Sequence, residues 1–159
     1  MRAGDVAPAC ALLARIVEAG GTTAIETAPD VAEFARWYFT GDDLICCHVA
    51  LDGPMGGAGQ VAGFQWLGRH PGLPPDCADI ATFTRRDAPL RGAGRALFAV
   101  SCTFARDAGW RQINATIRAD NVPGLGYYSA MGFVDHAVMP ARPLRDGTPV
   151  DRISKRLSL

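Results

Sequence analysis

The strongest constraint on how this chain folds is a change of hydrophobic period across a glycine turn. The apolar run "CADIATFT" (Cys77–Thr84) reads as a strand. It leads through "RRDAPLRGAG" straight into "RALFAVSCTFARDA", where apolar residues recur at helical spacing. Leu97, Val100 and Phe104 share one face of that predicted helix, which runs from Arg95 to Ala108 with Gly109 as its stop. The first amides of a helix have no intrahelical acceptors and point outward. The helix dipole adds partial positive charge there, and glycines let a bulky anion approach the main chain. Leu90, Arg91, Gly92, Ala93, Gly94 and Arg95 all offer N–H groups, and Arg91 and Arg95 add charge. Two phosphate-binding patterns are excluded. Residue 97 is leucine, not the last glycine of G-x-G-x-x-G, and no Gly-Lys-Ser/Thr closes the loop.

The rest of the chain sets this turn inside an α+β order. Asp5 is the candidate N-cap of a first helix carrying Leu12, Leu13, Ile16 and Val17, stopped by Gly20 and Gly21. After the loop "TTAIETAP", Asp30 caps a second helix with Glu33 three residues on; Val31, Phe34 and Tyr38 form its stripe and Gly41 ends it. "LICCHVAL" (Leu44–Leu51) and "QVAGFQWLG" (Gln60–Gly68) are strands, joined by the flexible hairpin connection "DGPMGGAG". Beyond the glycine-turn helix, "RQINATIRA" is a strand and "NVPGLGYYSAMG" a short, glycine-weakened helix. "FVDHAVMP" and "VDRISKRL" are the last strands, linked by "ARPLRDGT". A mixed sheet flanked by helices follows, in one domain over residues 1–159.

Charge and cysteine usage narrow the function class. Formal net charge is zero and neither sign forms a run, which argues against a nucleic-acid partner. No stretch approaches the roughly 18 apolar residues of a membrane span, and Asp5 and Glu18 interrupt any signal-peptide pattern at the start. The five cysteines include no C-x-x-C pair and read as reduced thiols filling the core of a cytoplasmic protein. His48 reads as a satisfied mid-strand histidine. His70 and His136 have no ligand spacing, so no metal site is expected. Trp37, Trp66 and Trp110 read as core or interface aromatics.

A second stretch adds a specific motif. "ADNVPGLGYYSAMGF" (Ala119–Phe133) carries Asn121, Gly124, Tyr128, Gly132 and Phe133. Together with "PLRGAG", in that order and at that separation, it resembles the GNAT superfamily of acetyl-CoA-dependent N-acetyltransferases. Their motifs read Gln/Arg-x-x-Gly-x-Gly/Ala and Asn-x-x-Ala/Gly-x-x-x-Tyr-x-x-x-Gly-Phe. The likeness covers nearly the whole chain. It departs at Pro89, which stands where the first motif has Gln or Arg and lacks an N–H, and at "MRAG", which cuts short the fold's first strand.

The resemblance implies a single GNAT-type α+β domain. Its mixed, mostly antiparallel sheet would be splayed between the fold's fourth and fifth strands, here "CADIATFT" and "RQINATIRA", and flanked by about four helices. It implies that the amides from Leu90 to Arg95 hold the diphosphate of acetyl-CoA. The edge of Thr82, Phe83 and Thr84 would pair with the pantetheine arm, and Asn121 would hydrogen-bond the cofactor. Tyr128 would stand near the thioester sulfur as the acid that protonates the leaving thiolate. Asp79 is the candidate base; in place it resembles the carboxylate of some small-amine members. Glu26, in the loop between the first helices, is its rival or a holder of a cationic substrate. The expected reaction is direct acetyl transfer to a primary amine of a small molecule. A protein or peptide N-acetyltransferase, a catalytically silent acyl-CoA-binding module and a purely structural domain remain open beside it. A homodimer through the C-terminal strands is also open.

Overall fold

A computed structural model describes residues 1–53 and 59–159. Most of the predicted "DGPMGGAG" connection lies outside the described residues. The elements are α1 (Ala3–Ala19), α2 (Val31–Tyr38), β1 (Leu44–Asp52), β2 (Gln60–Gly68), β3 (Cys77–Thr84), α3 (Ala93–Asp107), β4 (Gln112–Arg118), α4 (Val122–Ala130), β5 (Val134–Pro143) and β6 (Pro149–Ser158). The strands form one sheet of six in the order β1-β2-β3-β4-β6-β5. Every pairing is antiparallel except β3 with β4.

That parallel pair positions the site. A parallel neighbour needs a crossover, and α3 supplies it between β3 and β4. The two strands pair only at Cys77↔Gln112, Ala78↔Ile113 and Asp79↔Asn114. Beyond Asp79 they part, and one edge of Ile80–Thr84 faces the gap. The splay is thus between the strands named from the sequence. They are the third and fourth strands among the described residues.

Alternating strand residues divide the core into two clusters, one on each face of the sheet. Leu12, Leu13 and Ile16 of α1 and Phe34 and Tyr38 of α2 pack on Phe64 and Phe83. Phe64 stacks on Phe83 with ring centroids 4.8 Å apart and meets Phe34 and Tyr38 edge-on. On the other face Phe98, Cys102 and Ala105 of α3 and Tyr128 of α4 pack with Leu67, Ile80, Ile113 and Phe133. All five cysteines are buried and free. Among the described residues no helix is long and apolar enough to cross a membrane.

Several local expectations are corrected. Helix α1 starts at Ala3, ahead of Asp5; the Asp5 carboxylate accepts from the Arg2 amide at 2.7 Å and closes the first turn from inside. Asp30 does cap α2, accepting from the Glu33 amide at 2.7 Å. Helix α3 starts at Ala93, and its buried face is Leu97, Phe98, Ser101, Cys102 and Ala105. Val100 and Phe104 stay 52% and 41% exposed, so the stripe read from the sequence is rotated. Strand β5 runs on through Arg142 and Pro143, residues read as loop, and forms an exposed edge of the sheet.

Candidate functional site

The glycine turn leaves main-chain amides free at the start of α3. Gly92, the residue before α3, has φ of +81°, a left-handed conformation that side-chain-bearing residues adopt at a cost. This turns the chain so that the Ala93 amide reaches Leu90 O at 3.1 Å and the Ala96 amide reaches Gly92 O at 2.9 Å. The Gly94 and Arg95 amides between them find no acceptor among the described residues. A side chain at Gly94 would press a Cβ to 3.0 Å from the Tyr127 ring, so the helix start approaches α4 as closely as only glycine allows.

A cleft of about 630 Å³ connects this turn with the gap between β3 and β4. Thr82, Phe83 and Thr84, the turn residues Leu90, Gly92, Ala93, Gly94 and Arg95, and Asp79, Asn121 and Tyr128 all line it; Arg91 and Glu26 do not. The loop Thr22–Ile25 between α1 and α2 forms the opposite wall. The cleft offers main-chain donors suited to an anion at one mouth, then an unpaired strand edge suited to an extended ligand. Arg95 lies at that mouth, while Arg91 is exposed beside it.

Tyr128 is buried on α4 with its Oη 3.0 Å from Thr82 Oγ1. Burial pushes its phenol well above the usual tyrosine range, and hydrogen bonding from Thr82 offsets only part of this. It therefore holds its proton at neutral pH. Asp79 is the last residue of the β3–β4 pairing, where the strands separate. Burial raises its carboxyl above the ordinary range, against the Asn114 amide, which donates to Oδ1 at 2.9 Å. Asn114 also accepts from the Ser154 hydroxyl at 2.7 Å, so the residue that orients Asp79 is itself fixed. A carboxylate shifted toward neutrality and a phenol kept protonated meet in one cleft, the division of labour that acid–base catalysis needs.

Asn121 lines the cleft and is also held within the chain. Its Oδ1 accepts from the Gly124 amide at 3.0 Å, capping α4, and its Nδ2 donates to Thr22 O at 2.8 Å. Both ends of the amide are used within the chain, tying α4 to the wall of the cleft. Glu26 accepts from the Arg145 amide at 2.5 Å and anchors the β5–β6 turn. His48 lies away from the cleft, with Nδ1 3.1 Å from Ser101 Oγ.

Sequence reading missed three polar residues. Arg118, buried at the end of β4, donates from Nε and Nη2 to the Asp120 carboxylate and from Nη1 to Thr23 O at 3.4 Å. Gln65, fully buried on β2, donates from Nε2 to Thr82 Oγ1 at 2.9 Å and to Tyr127 Oη at 3.3 Å. Tyr127 donates to Gly94 O at 2.8 Å. The signal for Gln65 was available: it is a lone amide inside the apolar strand "VAGFQWLG".

Solved structures share this architecture over the whole chain. The ribosomal-protein-alanine N-acetyltransferase of Brucella melitensis superposes with a TM-score of 0.83 at 19% identity, covering 100% of this chain and 97% of that one. The fold is that of the GNAT N-acetyltransferases. A GCN5-related N-acetyltransferase from Kribbella flavida gives a TM-score of 0.83 at 21% identity over 100% of this chain and 95% of its own. The GNAT phosphinothricin acetyltransferase of Sinorhizobium meliloti, solved with acetyl-CoA, gives 0.81 at 22% identity over 100% and 85%. No family model matches the chain, and neither does any curated protein. The GNAT likeness is therefore one of backbone more than of sequence.

Proposed function

We propose that the protein is an acetyl-CoA-dependent N-acetyltransferase that acylates a primary amine of a small molecule by direct attack. The observation that carries this is the convergence, in one cleft, of the free Gly94 and Arg95 amides, the unpaired edge of Ile80–Thr84, Asp79 and Tyr128. Relatives in fold include an enzyme named for a ribosomal-protein alanine and one named for phosphinothricin, and both kinds of acceptor are amines. We favour the small molecule because the loop Thr22–Ile25 adds a wall to a cleft of only about 630 Å³.

Acetyl-CoA supplies an activated acyl group. The chain's own residues supply binding and protons. The turn amides and Arg95 neutralise the diphosphate, and main-chain groups of β3 hold the arm. An amine attacks only as the free base, and at neutral pH most alkylamines carry a proton. Asp79 accepts that proton, and its raised affinity for protons suits it to the task. As the N–C bond forms and the C–S bond breaks, Tyr128 Oη gives its proton to the departing thiolate. The proton gained at Asp79 and the one lost at Tyr128 then balance through solvent.

The experiment is thiol release from acetyl-CoA across amino acids, polyamines, aminoglycosides and peptides, with wild type and Tyr128→Phe. Turnover is expected with at least one small amine. Tyr128→Phe is expected to lower kcat by about a hundredfold or more with acetyl-CoA affinity nearly intact. Tight coenzyme binding with no transfer to any amine would favour a silent binding module instead. Turnover of peptides alone would move the assignment to a protein acetyltransferase.

A further inference from the structure

We propose that Gln65 and Thr82 are positioning residues that set the direction of the Tyr128 hydroxyl proton and aim it into the cleft. This rests on the acyl-transfer reading above.

The direction follows from counting donors and acceptors along one chain of contacts. A carbonyl can only accept, and Gly94 O lies 2.8 Å from Tyr127 Oη, so the single Tyr127 proton goes there. Tyr127 Oη is then left as an acceptor. The Gln65 atom 3.3 Å away is accordingly the amide nitrogen. That same nitrogen is 2.9 Å from Thr82 Oγ1 and spends its second hydrogen on it. The other end of the amide, Oε1, is buried with no partner among the described residues. The orientation is thus held against the cost of an unsatisfied carbonyl.

Thr82 Oγ1, already accepting from Gln65, lies 3.0 Å from Tyr128 Oη; its other hydroxyl neighbour, Tyr127, already takes the second Gln65 hydrogen. A second lone pair on Thr82 could take the Tyr128 hydrogen, but that would strand the Thr82 hydrogen; the arrangement that pairs it gives the Thr82 proton to Tyr128. The Tyr128 oxygen accepts from Thr82, and its own hydrogen turns away from Thr82 toward the open side, where a leaving sulfur has to be protonated. After that transfer the phenolate keeps the Thr82 hydrogen bond, which is stronger to an anion than to the neutral phenol, and regains its proton from solvent. One carbonyl at the start of α3 thereby sets the polarity of four successive side chains. The turn that grips the coenzyme and the acid that completes the reaction are parts of the same network.

Two measurements test this. Neutron diffraction from crystals of the wild-type protein in heavy water locates the deuterons without requiring activity. Expected are a deuteron on Tyr127 directed at Gly94 O, one on Thr82 directed at Tyr128, and the Tyr128 deuteron off that line. A Tyr128 deuteron pointing at Thr82 Oγ1 overturns the proposal. The second is a double-mutant cycle on thiol release. Thr82→Val and Gln65→Leu are each expected to lower kcat about tenfold, with the Michaelis constant for acetyl-CoA within about twofold and with rescue by Thr82→Ser. In a Tyr128→Phe background the same changes are expected to cost nothing further. Equal losses in both backgrounds overturn the positioning role. An inactive wild type removes the acyl-transfer reading, while the deuteron positions still decide the proton direction.

Discussion

Asn121 separates two roles that the motif alone leaves merged, a contact to coenzyme and a brace for α4. The geometry shows a brace. Helix α4 is short, has glycines at two positions and depends on its cap. Replacing Asn121 with alanine removes the bond to the Gly124 amide, worth about 1 kcal/mol for an N-cap. It also removes the bond to Thr22 O, worth about another 1 kcal/mol. The sum of about 2 kcal/mol corresponds to a fall in Tm of about 4–8 °C for a chain of this size. Asn121→Asp keeps the capping oxygen, and a negative charge suits a helix start. It trades the donor to Thr22 for a carboxylate oxygen facing that carbonyl, so at least half that fall is expected. Thermal unfolding followed by circular dichroism reads the stability, and calorimetric titration with acetyl-CoA reads the affinity, expected to change less than about threefold in Asn121→Asp. A tenfold loss of affinity with Tm unmoved would refute the brace and return Asn121 to the coenzyme.

Other outcomes follow from the same geometry. Burial holds the Asp79 carboxyl above its usual range, so the folded chain binds that proton more tightly than the unfolded chain. The stabilisation this gives is complete below about pH 3.9 and is lost as pH rises through the folded value. Asp79→Asn, which never ionises, is therefore expected to raise Tm relative to wild type at pH 8 and not at pH 3.5. The same variant is expected to lose the acid limb of the kcat/KM profile along with most activity, which stopped-flow thiol release at several pH values checks. Gly92→Ala forces a side chain into the φ +81° conformation at about 1–2 kcal/mol and shifts the free amides, so acetyl-CoA titration is expected to show weaker binding. Arg95→Ala is expected to weaken coenzyme binding several-fold at low salt and to flatten its salt dependence, measured by titration from 50 to 500 mM salt.

The backbone of this site was legible because it rests on local rules. A strand ending in a glycine turn and an apolar helical period have few structural solutions, and Asp30 with Glu33 announced the start of α2. What stayed hidden was decided by tertiary contact. The period of α3 fits two adjacent stripes; the sheet selected Phe98, Cys102 and Ala105 and left Val100 and Phe104 in solvent. The extension of β5 to Pro143 is a gain from pairing with β6, which no local propensity records. The resemblance placed Asp79 and Tyr128, and the structure brings both to the cleft. It could not place Gln65, whose partner Tyr127 lies 62 residues away, or the tie from Arg118 to Thr23, 95 residues away. Glu26 lies in the loop whose earlier residues line the cleft, yet its carboxylate is taken up by the β5–β6 turn.

The proposed mechanism rests on one claim, that the main chain at the start of α3 grips a thioester coenzyme. A crystal structure of the protein with acetyl-CoA tests it. The expected result is a diphosphate within hydrogen-bonding distance of the Gly94 and Arg95 amides, with the arm along Ile80–Thr84 and the acetyl group between Asp79 and Tyr128. A coenzyme seated elsewhere, or no coenzyme in crystals grown with millimolar acetyl-CoA, would contradict it.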